Sequence, residues 1–120
     1  MDILKQSIEA VITQGEQSIK AGTCQYKYDG LKCAVGHLIT DEHYSDSLEG
    51  ASLSAGNKIH DALNKSLGYE VSRQEIGQLR YIQYAHDNSS NLYFVEEFKK
   101  NICAFIYNGR LPEELREIVS

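Results

Sequence analysis

Cys24, Cys33, His37 and His43 fall in one short stretch of the chain, and thiolate with imidazole is the donor set that zinc prefers. The spacing weakens that reading, because eight residues separate Cys24 from Cys33 whereas ribbons and knuckles place paired cysteines about two to four residues apart. The plainer reading makes both thiols small buried hydrophobes near each other across a hairpin, with His37 packed against them, and the expectation is a protein without a cofactor. A second constellation is nucleophilic. Cys33 at a helix start would have a lowered thiol pKa, and His86 with Asp87 would supply a base and its orienting carboxylate. The competing role for His86 is to satisfy the last carbonyls of a helix.

Asp41, Glu42, Asp46 and Glu49 form an acidic run with no basic residue of the Lys or Arg type. They lack the alternating oxygen ligands and central glycine of an EF-hand loop, so a solvated acidic face is the better reading. Gly56-Asn57-Lys58 lacks the glycine spacing of a P-loop, and no glycine-rich dinucleotide fingerprint follows a strand. Tyrosine is the compositional oddity, with eight against three phenylalanines. Tyr26 and Tyr28 alternate and so share a strand face, which either packs on helices or serves as a contact patch. Tyr44 inside the acidic run either serves as an aromatic anchor within a negative rim or folds back onto the helices and closes the core behind the hairpin.

The elements that must position these groups are mainly helical. Leu4, Ile8, Val11, Ile12 and Ile19 predict a helix over about residues 2–21, capped by Asp2 and ended by Gly22. Two short alternating runs around Asp29-Gly30 predict a β-hairpin near residues 24–33, which must lie on helices to be stable. Residues 34–39 suit a short buried helix or a further extended piece, and residues 40–50 an acidic loop with one turn of helix. Ala55, Ile59, Leu63 and Leu67 mark a helix that stops at Gly68. Ser72 and Glu75 form a capping box, with Val71 placed to staple onto Ile76, and open a helix to about His86. Residues 87–91 form a turn cluster. Phe94, Val95, Phe98, Ile102, Phe105 and Ile106 then make the widest apolar stripe, expected at the centre of the core and ended by Asn108-Gly109. Pro112 starts a last short helix. The expected fold is therefore a single domain over 1–120, a compact bundle of five to six helices with one hairpin.

Length and charge limit the function. A chain of 120 residues can bury roughly two thirds of its unfolded surface without metal or disulfide staples. The formal net charge of −5 argues against nonspecific nucleic-acid binding, which needs clustered Lys and Arg. No apolar run reaches the ~20 residues of a membrane span, and residues 1–5 do not open a signal peptide. Three cysteines fit a reducing compartment, so a cytoplasmic protein without membrane contact is expected.

The run Cys24-Gln25-Tyr26-Lys27-Tyr28-Asp29-Gly30-Leu31-Lys32-Cys33-Ala34-Val35-Gly36-His37-Leu38-Ile39-Thr40-Asp41-Glu42-His43-Tyr44, closing with Glu49-Gly50, resembles a family of small uncharacterised bacteriophage and prophage proteins. Ile82-Gln83-Tyr84-Ala85-His86-Asp87 and the aromatic-rich helix after it are similar to that family's second block. Thr40 stands where the family pattern has proline, and Tyr93 or Phe94 near where it has tryptophan. The resemblance implies an accessory protein acting in the cytoplasm of a bacterial host, and it carries no reaction onto Cys33 or His86. The expectation is a non-catalytic protein that engages or inhibits a host protein, of the defence machinery in one version. Its contact residues would be Tyr44, Asp41, Glu42, Asp46 and Glu49, with Tyr26 and Tyr28. The alternative is a small Cys/His enzyme or small-ligand-sequestering protein centred on Cys33, His86 and Asp87.

Overall fold

The structure, a computed structural model, describes residues 2–90 and 92–120; the side chain of Asp2, expected to cap the first helix, and Asn91 of the turn cluster lie outside the described residues. The described residues form five α-helices and two antiparallel hairpins: α1 (Asp2–Gln14), β1 (Ile19–Lys20), β2 (Thr23–Cys24), β3 (Lys27–Tyr28), β4 (Leu31–Lys32), α2 (Lys58–Leu67), α3 (Arg73–Asp87), α4 (Phe94–Tyr107) and α5 (Arg116–Val119). The mainly α architecture matches the sequence reading. Short 3-10 turns cover Gly36–Leu38, Asp41–His43, Asp46–Leu48 and Glu113–Leu115.

The first helix is shorter than its apolar spacing predicts. Gly15 takes a left-handed φ of 77° and its N–H closes on Val11 O at 3.0 Å, which ends the helix as glycine commonly does. Ile19 therefore belongs to β1, which pairs with β2 in a hairpin that the sequence reading did not contain. Its turn places Ala21 at φ 50° and Gly22 at φ 85°. The second turn does the same with Asp29 at 53° and Gly30 at 81°, as expected, because two positive φ values match the twist of the flanking strands.

Three further helices are set by local signals. Asn57 caps α2 by accepting from the N–H groups of Ile59 and His60, each at 3.1 Å, so Ala55 stands before the helix. Gly68 closes α2 at φ 81°. The Ser72–Glu75 capping box of α3 is complete. Pro112 precedes a 3-10 turn that runs on into α5.

α1, which buries Leu4, Ile8 and Val11, packs on α3, which buries Leu79, Ile82 and Ala85; of the predicted α4 stripe Phe94, Phe98, Ile102 and Ile106 are buried, while Val95 and Phe105 at its edges are only partly so. The middle position belongs to α3, which packs on both α1 and α4. Gly36 is the tightest point: a Cβ there would lie 2.0 Å from Tyr26 O. Only glycine lets the segment after β4 cross so close to the strand backbone.

Candidate functional site

The last turn of α3 carries His86 and Asp87 to the base of the two hairpins. His86 is fully buried, with its ring edge on to Phe94 at 5.5 Å between centroids. Its Nε2 accepts from the backbone N–H of Ser18 at 3.1 Å, and its Nδ1 lies 2.8 Å from Asp87 Oδ1. A nitrogen that accepts a backbone N–H carries no proton, so the hydrogen-bond network assigns the proton to Nδ1, which donates to Asp87. Gln83 Nε2 donates to the same oxygen at 2.7 Å, while Gln83 Oε1 accepts from Val35 N at 2.9 Å. Gln17, buried, donates to the carbonyls of His86 and Asp87 at 3.2 and 3.1 Å. It thereby satisfies helix-end carbonyls that have no partner within the helix.

Cys24, not Cys33, completes this cluster. One ligand atom from each of Cys24, His86 and Asp87 lies within 4.8 Å of the others, and among the described residues this is the group of metal-ligating type. The set Cys24, Cys33, His37 and His43 does not come together in that way. His43 sits on the acidic turn, 3.5 Å from Glu42. The hydrogen bonds oppose a metal on His86. A metal on Nδ1 would force a proton onto Nε2, facing the N–H of Ser18 with no acceptor between them. A metal on Nε2 would have to displace that N–H.

The thiols are equally unsuited to attack. Burial, followed by the negative charge of Asp87 and a hydrogen bond with it, pushes the Cys24 thiol up to about 12. Cys33 is 1% exposed, and burial raises its pKa more strongly than the N–H of Gly36, 3.4 Å from Sγ, can lower it. A nucleophile must be a thiolate near neutral pH. Neither cysteine meets that condition, and His86 has no free nitrogen to act as base. His37, on the 3-10 turn, has an Nε2 that is buried with no hydrogen-bond partner among the described residues. Burial, then the positive charges of Lys32 and Lys27, lowers its pKa to about 4, so it is neutral at physiological pH.

Above the cluster lies a cleft of ≈540 Å³ whose walls include Cys24, Gln25, Ser52, Arg80, Tyr84 and Asp87. A flatter hollow of ≈620 Å³ runs along α1 beside His37, but fewer polar groups converge there. The cleft opens onto the outer face of α3, where Arg73, Gly77, Arg80, Tyr81 and Tyr84 recur at helical spacing. Tyr84 is 59% exposed. Phe105 of α4 supports this row, with ring centroids 4.9 Å from Tyr81 and 5.9 Å from Tyr84, and the Arg110 guanidinium lies over Tyr81.

The acidic segment is placed differently. Glu49 accepts from the N–H groups of Tyr26 and Lys27 at 2.9 and 3.2 Å and from the Tyr44 hydroxyl at 2.6 Å. Lys27 pairs with Asp41 at 2.7 Å and lies over the Tyr44 ring. Tyr44 is half-buried against the core, while Glu42 and Asp46 are exposed. Tyr26 is buried with its hydroxyl on Ala51 O, whereas Tyr28 is exposed under Lys20; the two do not form one patch.

The residues that sequence reasoning missed are glutamines. Gln14 holds both the N–H and the carbonyl of Lys32, at 2.9 Å each, and Gln17 and Gln83 join elements far apart in the chain. Comparison of the chain with family models, curated proteins and solved structures finds no match.

Proposed function

We propose that this protein is a non-catalytic binding protein of the phage accessory type, which engages and modulates a bacterial host protein from within the host cytoplasm. The observation that carries the reading is the display of tyrosine: Tyr69, Tyr84, Tyr93 and Tyr107 are 48%, 59%, 58% and 85% exposed. Tyrosine combines large contact area with low conformational entropy and is enriched at binding hot spots. The protonated thiols and the doubly engaged His86 favour this reading over a Cys/His enzyme. The phage assignment rests on the resemblance of residues 24–50 and 82–87. No described helix is long and apolar enough to cross a membrane, which accords with a partner reached in solution.

Two experiments test the proposal. Iodoacetamide labelling at pH 8, resolved by peptide mapping, is expected to modify Cys24 and Cys33 more slowly than free cysteine. Faster labelling of either would favour the enzyme. Affinity capture from a bacterial host lysate is expected to return a defined protein in stoichiometric amount. A failure to retain any protein from susceptible hosts would overturn the reading.

A further inference from the structure

The four arginines of the chain are Arg73, Arg80, Arg110 and Arg116. Arg116 is neutralised by Glu113 at 2.5 Å. Among the described residues the other three make no ion pair, and all three are exposed. In a protein of net charge −5, Arg73 and Arg80 flank the α3 row that includes Tyr81 and Tyr84, and Arg110 covers Tyr81. The acids of α3 are Glu75 and Asp87. Neither makes an ion pair with these arginines among the described residues: Glu75 closes the capping box with Ser72, and Asp87, whose negative charge lies at the edge of the cleft, accepts from His86 and Gln83.

Gly77 sits in the middle of the row. A Cβ at this position would meet nothing within 4 Å, and its backbone is helical, so neither internal packing nor a positive φ calls for glycine. Mid-helix glycine costs roughly 0.5–1 kcal/mol relative to alanine, and this one leaves a notch between Arg73, Arg80 and the tyrosines. An approaching chain could use such a notch to reach the helix backbone.

We propose that this face of α3, with Phe105 of α4 and Arg110 just after it, docks an acidic segment of a partner protein, its carboxylates on the guanidiniums and its apolar groups on the exposed ring of Tyr84. The inference rests on the binding-protein reading and names the chemistry of the partner. Guanidinium matches carboxylate in bidentate geometry, and Arg with Tyr is the composition of interface hot spots. A nucleic acid fits less well, because a uniform polyanion would meet the net negative charge of the whole molecule beyond three arginines.

The probes are a glutamate–tyrosine copolymer, a lysine–tyrosine copolymer and a single-stranded oligonucleotide of similar length, each tested against the full chain by biolayer interferometry. The acidic copolymer is expected to bind, to weaken as salt rises, and to bind at least tenfold more weakly to Arg80→Glu/Arg110→Glu; Arg116→Glu should leave it unchanged. Gly77→Ala should raise the melting temperature while weakening the same binding, a combination that damage to the fold cannot produce. Binding indifferent to the arginine and glycine changes, preference for the basic copolymer, or preference for the oligonucleotide would overturn the proposal. A partner captured from lysate and lost on changing Asp41, Glu42 and Tyr44 but not Arg80 and Arg110 would keep the binding-protein reading and remove this face. Arginine-dependent binding of the acidic copolymer without any captured partner would keep the face and remove the reading.

Discussion

The segment around Tyr44 and the outer face of α3 are built from the same materials, tyrosine and charge, and use them in opposite ways. Around Tyr44 the hydroxyl and two backbone N–H groups converge on Glu49, and Lys27 is shared between Asp41 and the aromatic ring. Those groups hold the second hairpin against the 40–50 segment. On α3 the tyrosines rest on Phe105, and the arginines beside them have no ion-pair partner among the described residues. Tyrosine beside charge is therefore not sufficient evidence of an interface. The difference lies in whether the charges are already satisfied within the chain, since a group engaged internally must break a hydrogen bond before it can bind anything else.

Changes that touch the core set the upper limit against which both regions are measured. Phe98→Ala removes a fully buried ring and is expected to cost about 3–5 kcal/mol in denaturant unfolding. Glu49→Ala comes next. It leaves two N–H groups and a hydroxyl without their acceptor, and a loss of about 2–3 kcal/mol is expected. A loss of less than about 0.5 kcal/mol would place Glu49 with ordinary surface charges and erase the contrast with α3. The smallest expected effect is a gain. Ala21 pays the cost of a left-handed φ at 50°, so Ala21→Asn should stabilise the first hairpin by about 0.5–1 kcal/mol, read as a higher melting temperature.

That first hairpin shows where the sequence was legible and where it was not. Asp29-Gly30 announces its turn because both residue types tolerate positive φ; Ala21-Gly22 adopts the same geometry with a residue that rarely does. The capping box at Ser72, the stop at Gly68 and the apolar stripe of α4 were readable because each signal is contained within a turn or two of helix. Apolar spacing through Ile19 hid the end of α1 at Gly15. The candidate site was least legible. Its cluster joins Gln17 and Ser18 to His86 across almost 70 residues of sequence, and no local pattern marks a glutamine as the partner of a distant helix end. His86 and Asp87 stood out by residue type, yet it is Cys24 rather than Cys33 that the hairpins bring to them. The α3 face escaped notice because its significance depends on which arginines find partners, and only the assembled molecule determines that.

Paired measurements on Tyr44→Ala and Tyr84→Ala, each giving melting temperature and affinity for the captured partner, test the contrast most directly. Tyr44→Ala is expected to lower the melting temperature by several degrees while the folded fraction keeps its affinity. Tyr84→Ala is expected to leave the melting temperature within about two degrees of the parent and weaken binding by ~2 kcal/mol or more. The reverse pattern, stability lost at Tyr84 and affinity lost at Tyr44, would contradict the account and move the interface to the acidic segment.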